Sequence, residues 1–189
     1  MEFQEDIERS LAVLSAGGLI LYPTDTIWGI GCDATNEAAV TKVYQLKNRE
    51  ETKAMIVLMA DEKSLLRYVA SPDPMIPEYL KGTVKPTTII YEGAIGLASN
   101  LIGVDGSIAI RLTGDEFCRH LIKRFRKPIV STSANLSGDP APGVYNDISE
   151  SVKAGVDFIV RYRQNDPHPG LPSSIIRWVS FGKPVIIRP

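Results

Sequence analysis

The sequence predicts a single α/β domain built on a mixed sheet. Three observations carry this expectation. Apolar runs of strand length, among them Leu19-Ile20-Leu21-Tyr22, Met55-Ile56-Val57-Leu58-Met59 and Phe158-Ile159-Val160, interleave with stretches whose apolar residues recur at helical spacing. The chain ends in two β-like runs, 174–179 and 184–188, around Phe181-Gly182-Lys183, and such a terminal hairpin prevents a purely parallel sheet. The length of 189 residues suits one domain, 1–189, large enough to bury a core. No internal repeat or low-complexity tract interrupts it.

Taken in order, residues 4–16 read as a helix with Ile7, Leu11 and Leu14 on one face, stopped by Gly17-Gly18. Leu19–Tyr22 reads as a buried strand that Pro23 ends, because proline cannot donate to a ladder. Gly29-Ile30-Gly31 reads as a turn. A second helix is expected over 36–47, with Asn36 as N-cap and Ala39, Val43 and Leu46 on one face. Residues 55–59 form the next strand, followed by a short helix at 61–69 and a proline-rich connection at 71–77. Thr87–Tyr91 is β-branched, and Ser107–Leu112 alternates as a half-buried strand does. A helix at 114–125, a strand at 129–132, a Gly/Pro-rich loop at 136–144, a helix at 148–154 and a strand at 158–160 lead to the terminal hairpin.

Composition narrows the function. The formal net charge is −1, so no global basic field recruits nucleic acid. The two cysteines, Cys32 and Cys118, have no metal-site spacing and read as reduced thiols. No run approaches the ~20 apolar residues of a membrane span, and the acidic start Met1-Glu2-Phe3-Gln4-Glu5-Asp6 does not resemble a signal peptide. A soluble cytoplasmic protein is expected.

Three segments carry the chemistry. Lys47-Asn48-Arg49 places two cations at the end of the second helix, with Lys53 just beyond. A helix dipole alone would favour cations there, yet a guanidinium fork beside an ammonium also suits phosphate or carboxylate. Ser131-Thr132-Ser133-Ala134-Asn135 follows a buried strand, and ligands of open α/β sheets bind beyond such strand ends. Pro23-Thr24-Asp25-Thr26 likewise exposes hydroxyls after a strand, although an Asx or ST turn would use the same residues. Trp28 is either a core residue or a surface on which a base stacks. Together these segments would surround a polyanion with cations and hydrogen-bond donors.

No GxxxxGK[ST] loop, GxGxxG in the right context or Gly-x-Ser-x-Gly elbow is present. His120 and His168 stand apart from each other and from the cysteines, which argues against a protein-built transition-metal site. The basic stretch Arg119–Lys127 is the best candidate for a weak RNA contact, against the alternative of a solvated helix face.

The motifs resemble those of the YrdC/Sua5 family over nearly the whole chain. Tyr22-Pro23-Thr24-Asp25-Thr26-Ile27-Trp28-Gly29 is similar to its Pro-Thr-Glu/Asp-Thr-x-Tyr-Gly-Leu segment, and Lys47-Asn48-Arg49 to its Lys-x-Arg. Ser133-Ala134-Asn135 is similar to its Ser-x-Asn, and Pro172-Ser173-Ser174-Ile175-Ile176 to its late Ser-Thr-Val-Ile strand. The resemblance implies a twisted, open α/β sheet with helices on its faces around a concave, positively charged cavity. It implies a threonylcarbamoyl-AMP synthase, a nucleotidyltransferase that joins L-threonine, bicarbonate and ATP and releases pyrophosphate. A downstream transferase complex would carry the threonylcarbamoyl group to tRNA as the t6A37 modification. The resemblance makes Lys47, Arg49, Ser133 and Asn135 the catalytic tetrad. It places Thr24, Thr26, Lys53, Arg111, Ser131, Ser173 and Ser174 around the substrates, with Mg²⁺ held mainly through ATP.

Several positions depart from the family pattern. Arg111-Leu112-Thr113 stands for Arg-x-Pro, Glu50 for a proline, Leu58 for a histidine and Trp28 for a tyrosine. These departures leave open a paralogue that takes a different amine, or one that binds RNA or a nucleotide without turnover.

Overall fold

A computed structural model describes residues 2–50, 54–179 and 183–189. Lys53 lies outside the described residues, as does the tip of the expected terminal hairpin. Among the described residues nine strands form one sheet: β1 (Ile20–Tyr22), β2 (Gly29–Gly31), β3 (Ile56–Met59), β4 (Thr87–Tyr91), β5 (Ile108–Leu112), β6 (Ile129–Ser133), β7 (Phe158–Ile159), β8 (Ser174–Val179) and β9 (Lys183–Arg188), in the order β7-β1-β2-β6-β3-β5-β4-β8-β9. The pairs β1/β7, β3/β5 and β4/β8 are parallel and the other five antiparallel, so the sheet is mixed as expected. The helices are α1 (Gln4–Ser15), α2 (Glu37–Lys47), α3 (Glu62–Leu65), α4 (Ile76–Lys81), α5 (Glu116–Phe125) and α6 (Glu150–Ala154).

Side chains alternate across each strand, and the two faces build separate cores. On one face Ile20, Tyr22, Leu58 and Ile129 pack beneath α1 and α5 with Ile7, Leu14, Phe117 and Leu121. On the other, Ile30, Val57, Ile89, Ile110 and Val130 pack with Ala39, Val40 and Val43 of α2. The α2 start follows the sequence, since the Asn36 side chain accepts from Ala39 N.

Two readings of the sequence need correction. Gly29-Ile30-Gly31 is a strand, not a turn. Gly31 is required because the Tyr22 ring lies over it, whereas Gly29 is crowded mainly by β6, with Ser131 Oγ at 3.2 Å and the Thr132 carbonyl oxygen at 3.3 Å from a Cβ placed there. A Cβ on Gly31 would stand 2.6 Å from Cε1 of Tyr22 and 2.9 Å from the Val130 carbonyl oxygen. The ring thus crosses β2, and its hydroxyl donates to Val130 O of β6 at 3.2 Å. The proline-rich connection also ends sooner than expected. Pro77 falls in the first turn of α4, where a missing N–H costs no helical hydrogen bond.

Candidate functional site

β6 shows how the site arises. Ile129, Ser131 and Ser133 share one face of this strand. Ile129 pairs with Leu58 under the helices, whereas Ser131 pairs with Ile56 and Ser133 with Gly29, beyond helical cover. The strand becomes hydroxylated where it leaves the core. Across the sheet the same face carries Arg111, paired with Leu58 and Thr88, then Ile175, paired with Thr88 and Arg188. A cavity of about 210 Å³ opens over this row.

Six of the residues singled out in the sequence meet in its wall: Thr26, Arg49, Arg111, Ser131, Ser133 and Ser173. Arg49 follows Asn48, whose left-handed backbone (φ 49°) ends α2 and turns the chain outward. Its guanidinium donates to Ala54 O at 2.9 Å. Arg111 is 3% exposed and stands 3.1 Å from Asp25 Oδ1, while Asp25 Oδ2 accepts from Gly114 N at 3.0 Å. The Nε of Arg111 has no hydrogen-bond partner among the described residues. The Ser173 and Thr88 hydroxyls are hydrogen-bonded to each other at 2.8 Å.

Four other residues stand behind the wall. The Lys47 ammonium donates to the backbone carbonyls of Ser133 and Asn135. Burial, reinforced by the charge of Arg49, lowers its pKa from the ordinary 10.5 to about 8. Asn135 donates through Nδ2 to Leu136 O and Asp139 O, and its buried Oδ1 has no partner among the described residues. Thr24 lines a second hollow on the far side of its loop. Ser174, the first residue of β8, alternates away from its neighbours Ser173 and Ile175.

Arg188 joins the wall although the sequence reading left it in the terminal hairpin. Its Nε and Nη2 grip the Ser173 carbonyl at 3.0 and 2.8 Å. Burial and then the neighbouring Arg111 charge lower its pKa. Trp28 serves the core and the cavity at once, being 6% exposed with its ring 5.0 Å from that of Tyr145.

Three guanidiniums, Arg49, Arg111 and Arg188, therefore line the cavity, and no carboxylate does so among the described residues. Forked donors of this kind match phosphate and carboxylate oxygens, and a partly dry cleft strengthens the attraction. No group of three or more His, Cys, Asp or Glu side chains that could hold a metal gathers among the described residues.

The fold and site define an open-sheet α/β protein with an arginine-lined ligand cavity. The Sua5/YciO/YrdC family model, described as "Telomere recombination", matches residues 12–189. A threonylcarbamoyl-AMP synthase of Stenotrophomonas maltophilia (strain K279a) is 36% identical over 137 residues, 71% of this chain and 74% of its own. The crystal structure of P. abyssi Sua5 complexed with L-threonine superposes with a TM-score of 0.84 at 24% identity, covering 98% of this chain and 54% of that one. The chain thus spans about half the length of that Sua5. E. coli YciO superposes with a TM-score of 0.83 at 20% identity, covering 98% of this chain and 89% of its own. The chain belongs to the Sua5/YciO/YrdC family. No helix among the described residues is long and apolar enough to cross a membrane.

Proposed function

We propose that the protein is an L-threonylcarbamoyladenylate synthase. It would make threonylcarbamoyl-AMP and pyrophosphate from L-threonine, bicarbonate and ATP for t6A37 modification of tRNA. The observation that carries this reading is the convergence of Arg49, Arg111 and Arg188 with the hydroxyls of Thr26, Ser131 and Ser133 on one cavity. It accords with the name of the 36%-identical relative.

In this reading the threonine amine takes up bicarbonate with loss of water. A carbamate oxygen then attacks the α-phosphorus, the bond to the bridging oxygen breaks, and that oxygen leaves with pyrophosphate. Every species is anionic, so the fixed guanidiniums lower the repulsion between carbamate and phosphate and neutralise charge on the leaving group. Mg²⁺ would enter on the nucleotide phosphates, because the wall offers hydroxyls and cations rather than a carboxylate cage. The product is a reactive mixed anhydride, which requires a downstream transferase complex to consume it.

A further reading concerns RNA. Arg67, Lys123, Arg126 and Lys127 line a groove of about 260 Å³ together with Tyr68 and Asp61, with Lys127 also paired to Asp33 at 2.6 Å. Arg119 and Lys123 stand at i and i+4 on α5, a spacing at which like charges repel, and Arg126 follows as its left-handed C-cap (φ 61°). Such a face would make a weak, salt-sensitive contact with RNA phosphates. Affinity for RNA with a log–log salt slope near −0.7 per phosphate contacted would support it, and a flat salt response would remove it.

The main reading is tested by following pyrophosphate release with ATP, Mg²⁺, bicarbonate and L-threonine, each amino acid or bicarbonate omission run in parallel. Release that requires both threonine and bicarbonate is expected. Release supported equally by another amino acid would assign a different amine, and nucleotide binding without release would leave a binding paralogue.

A further inference from the structure

The loop carrying Thr24 and Thr26 is gripped from outside by a distant strap of chain, residues 163–170. Nη2 of Arg163 donates to the Thr24 carbonyl at 3.2 Å and to Asp115 Oδ2 at 2.8 Å. Asp115 is itself fixed, since its Oδ1 caps α5 by accepting from Cys118 N at 2.8 Å. The Cys118 thiol in turn donates to the Pro23 carbonyl at 3.3 Å. Arg163 adopts a left-handed backbone (φ 63°), uncommon for a residue with a side chain. That turn is secured by buried Asp6 of α1, whose Oδ2 accepts from Arg161 N and Tyr162 N at 3.0 and 2.9 Å. At the other end of the strap, Gly170 passes so close that a Cβ would lie 1.6 Å from the Thr26 carbonyl oxygen.

The grip fixes what the loop offers to the cavity. Thr24 Oγ1 donates its only proton to Ile27 O at 2.8 Å and accepts from Thr26 N at 3.0 Å. Thr26 Oγ1, 2.9 Å away, must then give its own proton to Thr24. The Thr26 hydroxyl is left as an acceptor in the cavity wall. An acceptor suits the N–H or O–H of an amino acid and repels a phosphate.

We propose that Arg163 is a positioning residue for amino acid recognition. It holds the Thr24 carbonyl so that the Thr26 hydroxyl faces the L-threonine substrate as an acceptor. The inference rests on the synthase reading for its substrate, though not for its geometry.

The test uses Arg163→Gln and Arg163→Lys in the full chain. Arg163→Gln should raise KM for L-threonine about ten-fold while KM for ATP moves less than about two-fold, the signature of one displaced binding contact. Arg163→Lys, which keeps one donor to Asp115 or Thr24, should recover part of the loss. Backbone hydrogen exchange in both variants should accelerate over 23–28 and remain unchanged in α2. Unchanged exchange at 23–28, or equal rises in both KM values, would overturn the assignment. Should the wild type show no threonine-dependent release, the synthase reading fails, and the exchange at 23–28 alone decides the role of Arg163. If Arg163→Gln does not fold, Arg163→Lys carries the same two measurements.

Discussion

The Lys47 ammonium donates to the backbone carbonyl of Ser133, 86 positions further along the chain, and to that of Asn135. The side chain is 1% exposed, and the contacts that hold it are carbonyl dipoles rather than a carboxylate. Two of its three protons are committed to shaping the Ser133–Asn135 turn. At most one remains for a ligand. The first task of this lysine is therefore to shape the turn behind the cavity, and in the proposed reaction contact with phosphate would fall chiefly to the arginines.

This burial predicts a titration within reach of ordinary buffers. The Lys47 pKa falls from 10.5 to about 8, so the unfolded chain holds the extra proton more tightly than the folded one. The penalty on folding is full below pH ~8 and fades as pH rises toward the unfolded value. The positive charge is lost over the same window, so turnover should decline above pH ~8 while stability does not. Lysine Cε NMR should show one signal titrating near 8, and Arg49→Gln should move it upward. A Lys47 signal that titrates with the surface lysines would refute the burial argument.

Lys47→Met and Arg49→Gln should separate stability from activity. Removing the ammonium strands two buried carbonyl oxygens, at about 1–3 kcal/mol for each group left unsatisfied. Lys47→Met should therefore lower unfolding free energy by roughly 2 kcal/mol or more as well as abolishing pyrophosphate release. Arg49 is partly exposed and follows the helix end. Its replacement by Gln should cost under about 1 kcal/mol of stability yet remove most activity. Urea unfolding beside the pyrophosphate assay checks both, and equal destabilisation would contradict the division of roles.

Local patterns made much of this architecture legible. Asn36 announced the start of α2, because capping is a short-range effect. Ser107–Leu112 does hold a strand, but β5 is buried on both faces from Ile108 to Arg111 rather than half-buried as its alternation suggested, because cover of the second face comes from distant parts of the chain. Residues at or just past the ends of single elements, such as Thr26, Ser133 and Arg49, could be placed beside a cavity for the same short-range reason as Asn36. Gly29–Gly31 could not, since its strand character depends on a ring seven to nine positions earlier and on β6 a hundred residues later. Arg188 was hidden by pairing: it enters the cavity only because β9 sets it beside Ile175, across a bulge at Ile175/Ile176. The inward or outward turn of Ser173 against Ser174 likewise depends on register, which composition does not specify.

Arg188 should be a nucleotide-affinity residue. Its forked grip on the Ser173 carbonyl leaves the guanidinium fixed near Arg111, and the two like charges oppose each other. Arg188→Gln should weaken ATP binding by about ten-fold or more, and Arg188→Lys should restore little, because an ammonium carries the charge without the fork. Calorimetric titration with ATP provides the measurement. Full recovery by lysine would show that charge alone matters there.

The glycine at position 31 should be coupled to the aromatic ring at position 22. A methyl group on Gly31 would meet Cε1 of Tyr22 at 2.6 Å, the Val130 carbonyl oxygen at 2.9 Å and Cγ2 of Ile129 at 3.0 Å. Two of these three neighbours are side chains that can give way, but Tyr22 is 1% exposed and tethered through its hydroxyl to Val130 O. Gly31→Ala should consequently cost about 1–3 kcal/mol, as overpacking does. In a Tyr22→Leu background, where the ring is gone, the same substitution should cost less, leaving only the conflict with the backbone of β6. The difference is a coupling energy, readable from a double-mutant cycle in urea, with about 0.5 kcal/mol or more expected for residues in contact. Strict additivity would mean that the ring does not require the glycine, and that the Gly-x-Gly strand answers to β6 alone.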